Sequence, residues 1–195
     1  MSIVINPDHL RLMQQFQLSA CVAVSLQEFF SKYAGDDTKI KWPNDLYWQD
    51  RKAGGVLIES VVRGQDPIAI RPGVSEWLWS IIGIGVNINQ TAFPSYLVNP
   101  VSLKQITGKN FDVISLAKEL CEILDKNFIV LQKGDFEKIF SLYLSHLYKK
   151  GATVKLKKDN RVFEATILSV SPVGKLIVQH GIEEEFDFGD VEWVI

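Results

Sequence analysis

The stretch KWPNDLYWQDRKAGGVLIES, Lys41 to Ser60, decides the reading of this chain. It begins inside a run, Thr38 to Trp42, in which Ile40 and Trp42 alternate with Lys39 and Lys41. That period of two belongs to a half-buried strand. Pro43 stops the pairing, Asn44-Asp45 is turn chemistry, and Tyr47 to Lys52 reads as a tight connection. Ala53 to Val62 is then a second strand, glycine-rich at its start. If the two strands pair, Lys41 and Lys52 bring their ammonium groups to one pocket at the sheet's end. Two convergent cations suit an anionic, phosphate-bearing substrate and stabilise charge that builds on phosphoryl oxygens. Gly54 and Gly55 lack Cβ, so a ligand can lie directly against the backbone. Asp45 can hold Mg²⁺ or accept a proton from an attacking amine. Each piece is also common: the solvated face of an edge strand, a bulge and a plain turn account for the same residues on spacing alone.

Working outward, Ser2 to Asn6 is a short β-branched run closed by Asn6-Pro7 and reads as a strand. Gln14 to Tyr33 follows a helical period with a broad apolar face, ended by Gly35-Asp36-Asp37. Beyond the turn residues Gly64 to Pro67 and Arg71 to Gly73, Glu76 to Ile88 is nearly continuously apolar, the pattern of a strand covered on both faces. Helices are expected over Val113 to Leu131 and Phe136 to Leu147, with Asp112 and Asp135 near their starts as caps or first-turn acids. From Lys149 the character changes. Ala152–Leu156, Val162–Val170, Leu176–Gln179, Glu184–Phe188 and Glu192–Val194 are short strands separated by turn residues, which reads as a small barrel. The boundary falls near Tyr148, dividing residues 1–148 from 149–195.

Composition narrows the function classes. The chain has 195 residues, 47% of them hydrophobic, enough for one core or a domain with a small companion. A formal net charge of -2 argues against a polybasic surface, and so against nucleic acid or anionic membrane as the partner. Cys21 and Cys121 read as reduced, buried thiols that pack as small hydrophobes. His9, His146 and His180 stand without metal-ligand spacing. No stretch is apolar and long enough to span a membrane, no signal peptide is evident, and a cytoplasmic location is expected.

The order of motifs resembles a known family. Lys41-Trp42-Pro43-Asn44-Asp45 followed by Lys52-Ala53-Gly54-Gly55-Val56-Leu57-Ile58-Glu59 is similar to the central signature of biotin protein ligases. Ile82 to Asn89, IGIGVNIN, resembles that family's next block, and its C-terminal small barrel also has a counterpart here. The resemblance implies an α/β (α+β) fold: a mixed sheet with helices, related to class II synthetases and lipoate ligases, plus an SH3-like barrel. It implies activation of biotin with MgATP to biotinyl-5′-adenylate, then transfer to a lysine of the acetyl-CoA carboxylase biotin carrier domain. On that basis Lys52 and Asp45 are the catalytic pair. Lys52 binds biotin and stabilises the reacting carboxylate and α-phosphate, and Gly54, Gly55, Val56 and Leu57 line the biotin pocket. Lys41, Asn44 and Asn87 attend the ATP phosphates, with Mg²⁺ near Asp45 or Asn87. Asp45 orients and deprotonates the acceptor lysine, an amine with a pKa of about 10.4 that is otherwise mostly protonated at neutral pH.

The pattern breaks upstream. The family's Ser-Thr-Asn-like segment and its Gly-Arg-Gly-x-x-Gly-Arg loop, which closes over biotin and the adenylate, are not in this sequence. The chain is therefore expected to be a fragment, with a natural short form as the competing explanation. Activity as written is expected to be badly impaired, because such a lid supplies both positioning and charge stabilisation. An unpaired sheet edge and exposed apolar surface would invite self-association, so a homodimer is a state open to the chain. No helix-turn-helix segment is present, so repressor activity is not expected. Two other readings compete: a lipoate or octanoate transferase of the same fold, against which Lys41 to Asp45 and the small barrel argue, and a non-catalytic binding or assembly protein.

Overall fold

Alternating burial along two long strands sets the architecture of the computed structural model, which describes residues 1–63 and 76–194. The strands are β4 (Arg51–Arg63) and β5 (Glu76–Val86), paired antiparallel with Val56 opposite Ile84 and Ile58 opposite Ile82. Their inner residues Val56, Ile82 and Ile84 are buried, whereas Leu57, Val61, Trp79 and Ile81 on the outer face are exposed. The expectation that residues 76–88 are covered on both faces is thus corrected. The apolar core beneath β4 and β5 is shared with helices on one side alone. β1 (Ser2–Ile5) flanks β5, while β3 (Asp45–Trp48) and β2 (Thr38–Lys41) follow β4, giving the order β1-β5-β4-β3-β2.

Every ladder in this sheet is antiparallel. The mixed sheet expected from sequence is therefore an antiparallel one among the described residues, and parallel pairing enters only as isolated bridges. A second correction concerns Asp45 to Trp48, read as turn and connection. They form β3, and the turn shifts to Trp42–Asn44 on one side and Gln49–Asp50 on the other, with Gln49 at φ 52°. Leu46 and Tyr47 are buried, and that burial holds the short strand. The turn residues Gly64 to Pro67 and Arg71 to Gly73 lie outside the described residues.

Helix α1 (Gln15–Ala34) is apolar around most of its circumference and buried accordingly. Leu18, Val22, Leu26 and Phe29 pack beneath the first sheet, while Ala20, Cys21 and Val24 belong to a second core. Gly35, at φ 77°, ends the helix. Helix α3 (Val113–Gln132) lies beside α1, and Asp112 caps it by accepting from the Ser115 amide at 3.0 Å. Cys121 lies on its solvent face, so of the two thiols expected to be buried only Cys21 is. Asp135 precedes α4 (Phe136–Ser145) without a side-chain cap. The one-turn helix α2 (Leu103–Thr107) has no period to betray it; it is announced by Ser102 and Gln105 in a capping box.

Past residue 148, β6 (Thr153–Lys158), β7 (Arg161–Val170), β8 (Leu176–His180), β9 (Ile182–Phe186) and β10 (Glu192–Val194) form a second antiparallel sheet in the order β10-β6-β7-β8-β9. The expected turns are present, with Asp159, Gly174, Gly181 and Gly189 at positive φ. The order is open among the described residues: β9 and β10 do not pair, so the strands do not close into the barrel expected from sequence. The inner face of this sheet continues into the core of α1, β2 and α4. Trp42 donates its indole N–H to the Gly174 carbonyl at 2.8 Å, and Tyr143, fully buried, donates to the Pro43 carbonyl at 2.9 Å. These bonds fix the turn after β2 from below. Tyr143→Phe should therefore cost about 1–2 kcal/mol by leaving a carbonyl without its donor. Urea unfolding checks this, the expected result being a lower midpoint with an unchanged m-value.

Candidate active site

The candidate site is built where β4, at its two glycines, lies between β3 and β5. Asp45 lies opposite Gly55, and Leu46 opposite Gly54, before a register shift brings Lys52 opposite Tyr47. A Cβ on Gly54 would meet the Gly85 carbonyl oxygen at 2.6 Å, and one on Gly55 would meet Asp45 Oδ1 at 2.8 Å. At Gly54 the obstacle is backbone, so glycine is required there for the strands to sit at this spacing; at Gly55 it is the tip of the Asp45 side chain, which a Cβ would displace from its place. Asp45 Oδ1 then reaches Lys52 Nζ at 2.6 Å. The backbone of Lys52 is pinned on both sides: its N–H donates to the Asn99 carbonyl at 2.8 Å and its C=O accepts from Val101 at 2.9 Å. Asn87 adds a side-chain donor to the same carbonyl at 3.3 Å.

Two clefts meet at this ion pair. The larger, about 660 Å³, is lined by Lys41, Asp45, Tyr47, Lys52, Gly54, Asn87 and Trp193 among others. The smaller, about 500 Å³, is lined by Asn44, Asp45, Lys52, Gly55, Val56, Leu57 and Gly83 among others. Every residue singled out from sequence lines one or the other, and Asp45, Lys52, Gly55 and Gly85 line both. Two sit apart from their expected group. Asn44, read with the phosphate residues, lines the smaller cleft, and its carboxamide donates to the Val56 carbonyl. Gly54, read with the biotin pocket, lines the larger one.

The sequence reading missed Tyr47, Trp193 and the Gln90–Pro100 segment that walls the larger cleft. An exposed apolar run, Tyr96 to Val98, was the available signal for that segment. Nothing marked Trp193, which arrives from the second sheet.

Electrostatically the two lysines differ. Lys52 is half exposed and paired. Lys41 is buried and forms no ion pair among the described residues; its ammonium donates to Tyr47 Oη at 3.2 Å. Burial pushes its pKa down to about 8, the Lys52 charge adds to that, and Asp45 opposes it. Burial, with the Asp45 charge, pushes the Tyr47 phenol up to about 12. The arrangement offers one half-exposed, paired cation, one desolvated cation, a carboxylate and a glycine floor. Such a surface suits a ligand carrying phosphate on one side and an uncharged body on the other.

Residues 1–70 match the family described as the biotin/lipoate A/B protein ligase family. They carry β1 through β4, and with them the Asp45–Lys52 pair. The chain is 27% identical to the bifunctional ligase/repressor BirA of Bacillus spizizenii across 98% of its own length, and spans 57% of that relative. It is 32% identical to Escherichia coli BirA over 53% of its length, covering 29% of that protein. The fold matches the biotin protein ligase of Aquifex aeolicus at a TM-score of 0.77 and 23% identity, covering 98% of this chain and 79% of the other. The same Aquifex protein, in complex with biotin and ATP, matches at 0.76. Among the described residues no helix is long and apolar enough to cross a membrane, and no cluster of three metal-ligating side chains occurs.

Two outcomes follow from the geometry. Gly54→Ala should destabilise by about 1–3 kcal/mol, because its Cβ pushes against backbone rather than a flexible side chain. Lys41→Met should stabilise at pH 7 by a few kcal/mol, since it removes a charge held out of water. The sign with pH follows from linkage: the folded protein releases this proton near 8 and the unfolded chain near 10.5. The wild-type protein should therefore gain stability as pH rises through that window, and the methionine variant should not. Denaturant midpoints from pH 7 to 10.5 check both.

Proposed function

We propose that the chain is the core of an ATP-dependent biotin–protein ligase, with biotin in the smaller cleft and the nucleotide in the larger. The observation that carries this reading is the position of the Asp45–Lys52 pair at the junction of the two clefts. A reaction that joins biotin's carboxylate to the α-phosphate of ATP needs its cation there. Attack of the carboxylate oxygen on that phosphorus forms biotinyl-5′-adenylate and expels pyrophosphate. Lys52 neutralises charge shared between carboxylate and α-phosphate, and Lys41 faces the departing phosphates. Gly54 and Gly55 admit the ligand to the backbone, and Val56 and Leu57 flank the uncharged ring system. Asn44 holds the Val56 carbonyl and so the floor beside it.

In the second step a lysine amine attacks the biotinyl carbonyl, an amide forms and AMP leaves. The amine must first lose a proton, and Asp45 is the carboxylate at the junction able to take it. Mg²⁺ brought by ATP needs only one or two protein oxygens. The Asn87 carboxamide oxygen, which accepts no bond among the described residues, fits that need, and the metal would supply charge neutralisation at the phosphates. The acceptor we propose is the biotin carrier domain of acetyl-CoA carboxylase, and the setting cytoplasmic. Residues 1–148 would form the catalytic unit and 149–195 a five-stranded companion whose Trp193, on β10, lines the larger cleft.

A second reading, lipoate or octanoate transfer, is kept in view because the matched family embraces both chemistries. Labelling of purified carrier domains separates them, using this chain with a family-type Gly-Arg-rich segment joined before Met1. The expected result is biotin incorporation into the biotin carrier, no lipoate incorporation into a lipoyl domain, and a loss of at least about 100-fold in Lys52→Ala. Wild-type labelling by the Lys52 variant would remove the residue assignment, and lipoate transfer would replace the substrate.

A further inference from the structure

Lys41 sits in an aromatic surround that comes from both sheets. Its ammonium lies 4.8 Å from the ring centroid of Tyr47, on β3, and 5.2 Å from that of Trp193, on β10. Tyr148, in the link between α4 and β6, touches both rings, at 5.0 Å from Tyr47 and 5.8 Å from Trp193. Tyr148 is itself fixed, donating its hydroxyl to Asp50 at 2.7 Å, and Lys149 pairs with the same carboxylate at 2.7 Å. The three rings therefore form a braced wall around one buried charge.

An ammonium in this position has few other supports. It carries three donors, and Tyr47 Oη takes one of them. The nearby carboxylate, Asp45, is held by Lys52. The charged groups facing Lys41 are thus Asp45 from β3 and Lys52 from β4, and the Tyr47 phenol is its hydrogen-bond partner. Trp193 on β10 adds a face without a charge. The indole N–H is buried and finds no acceptor among the described residues, so the ring's contact with Lys41 runs through its π surface. A ring face attracts a cation most when water is excluded.

We propose that Trp193 is a positioning residue: its indole, delivered by the second sheet, keeps the Lys41 ammonium in the wall of the larger cleft for a phosphate-bearing ligand. The proposal rests on reading that cleft as the nucleotide side of the site. It gives the second sheet a task in the reaction, because among the described residues Lys41 has no other ring or hydrogen-bond partner from beyond residue 148.

Two measurements test it together. One follows the Lys41 titration by NMR of ¹³Cε-labelled lysine, assigned with Lys41→Arg; the other follows MgATP binding by calorimetry. Trp193→Ala should open Lys41 to water and move its titration upward toward that of an ordinary lysine, since burial is the main cause of the lowering. The same variant should weaken MgATP binding about tenfold, and Trp193→Phe, which keeps a ring face and most of the burial, should stay within about twofold of wild type in both. The proposal is overturned if the Lys41 titration is unmoved in Trp193→Ala, or if Trp193→Phe is as damaging as Trp193→Ala. A wild-type protein that binds no MgATP, yet shows the shift in Lys41 titration, would remove the nucleotide reading and uphold the hold of Trp193 on Lys41.

Discussion

The close approach of three strands at Gly54 and Gly55 is the constraint on which the rest depends. With a side chain at Gly54 β4 could not lie so near the Gly85 backbone, and with one at Gly55 the Asp45 carboxylate would be pushed from its place. That spacing puts the Asp45 carboxylate on Lys52 and opens a cleft to each side of the pair. The pinning of Lys52 by Asn99, Val101 and Asn87 serves the same end: the strand carrying the cation is tied on the side where Gly54 and Gly55 offer no side chain to pack.

Much of this is legible in the sequence. The Lys41–Ser60 stretch located both cations, the carboxylate and the glycines, because each has a chemistry tied to residue type. The period of the long helices and the turn residues of the second sheet placed those elements within a few residues of where they lie. What escaped was set by tertiary contact. Asp45 to Trp48 looks like turn and connection because Pro43 and Asn44 precede it and Gln49-Asp50 follow. Burial of Leu46 and Tyr47 against the rest of the fold makes it a strand. The long apolar run through Ile81 and Ile82 could not say that helices cover only one side. Trp193 was invisible as a site residue because its relation to Lys41 spans the chain and leaves no local pattern.

The two sheets are coupled through the same few residues that form the site. Trp42, next to Lys41, is bonded to Gly174, and Lys41 itself is faced by Trp193. The desolvation that lowers the Lys41 pKa is therefore partly the work of a strand more than 150 residues away in the chain. A desolvated cation interacts strongly with a phosphate that enters its cleft, and it is also costly to keep in the empty protein. Function and stability are set against each other at this one side chain.

The account rests on biotin and nucleotide occupying adjoining clefts with Lys52 between them. Calorimetric titration of this chain with biotin, in the absence and presence of MgATP, tests that most directly. Biotin should bind, and bind at least about tenfold tighter with MgATP, a gain that Lys52→Ala abolishes. Absence of biotin binding under both conditions, or equal binding of lipoate, would contradict it.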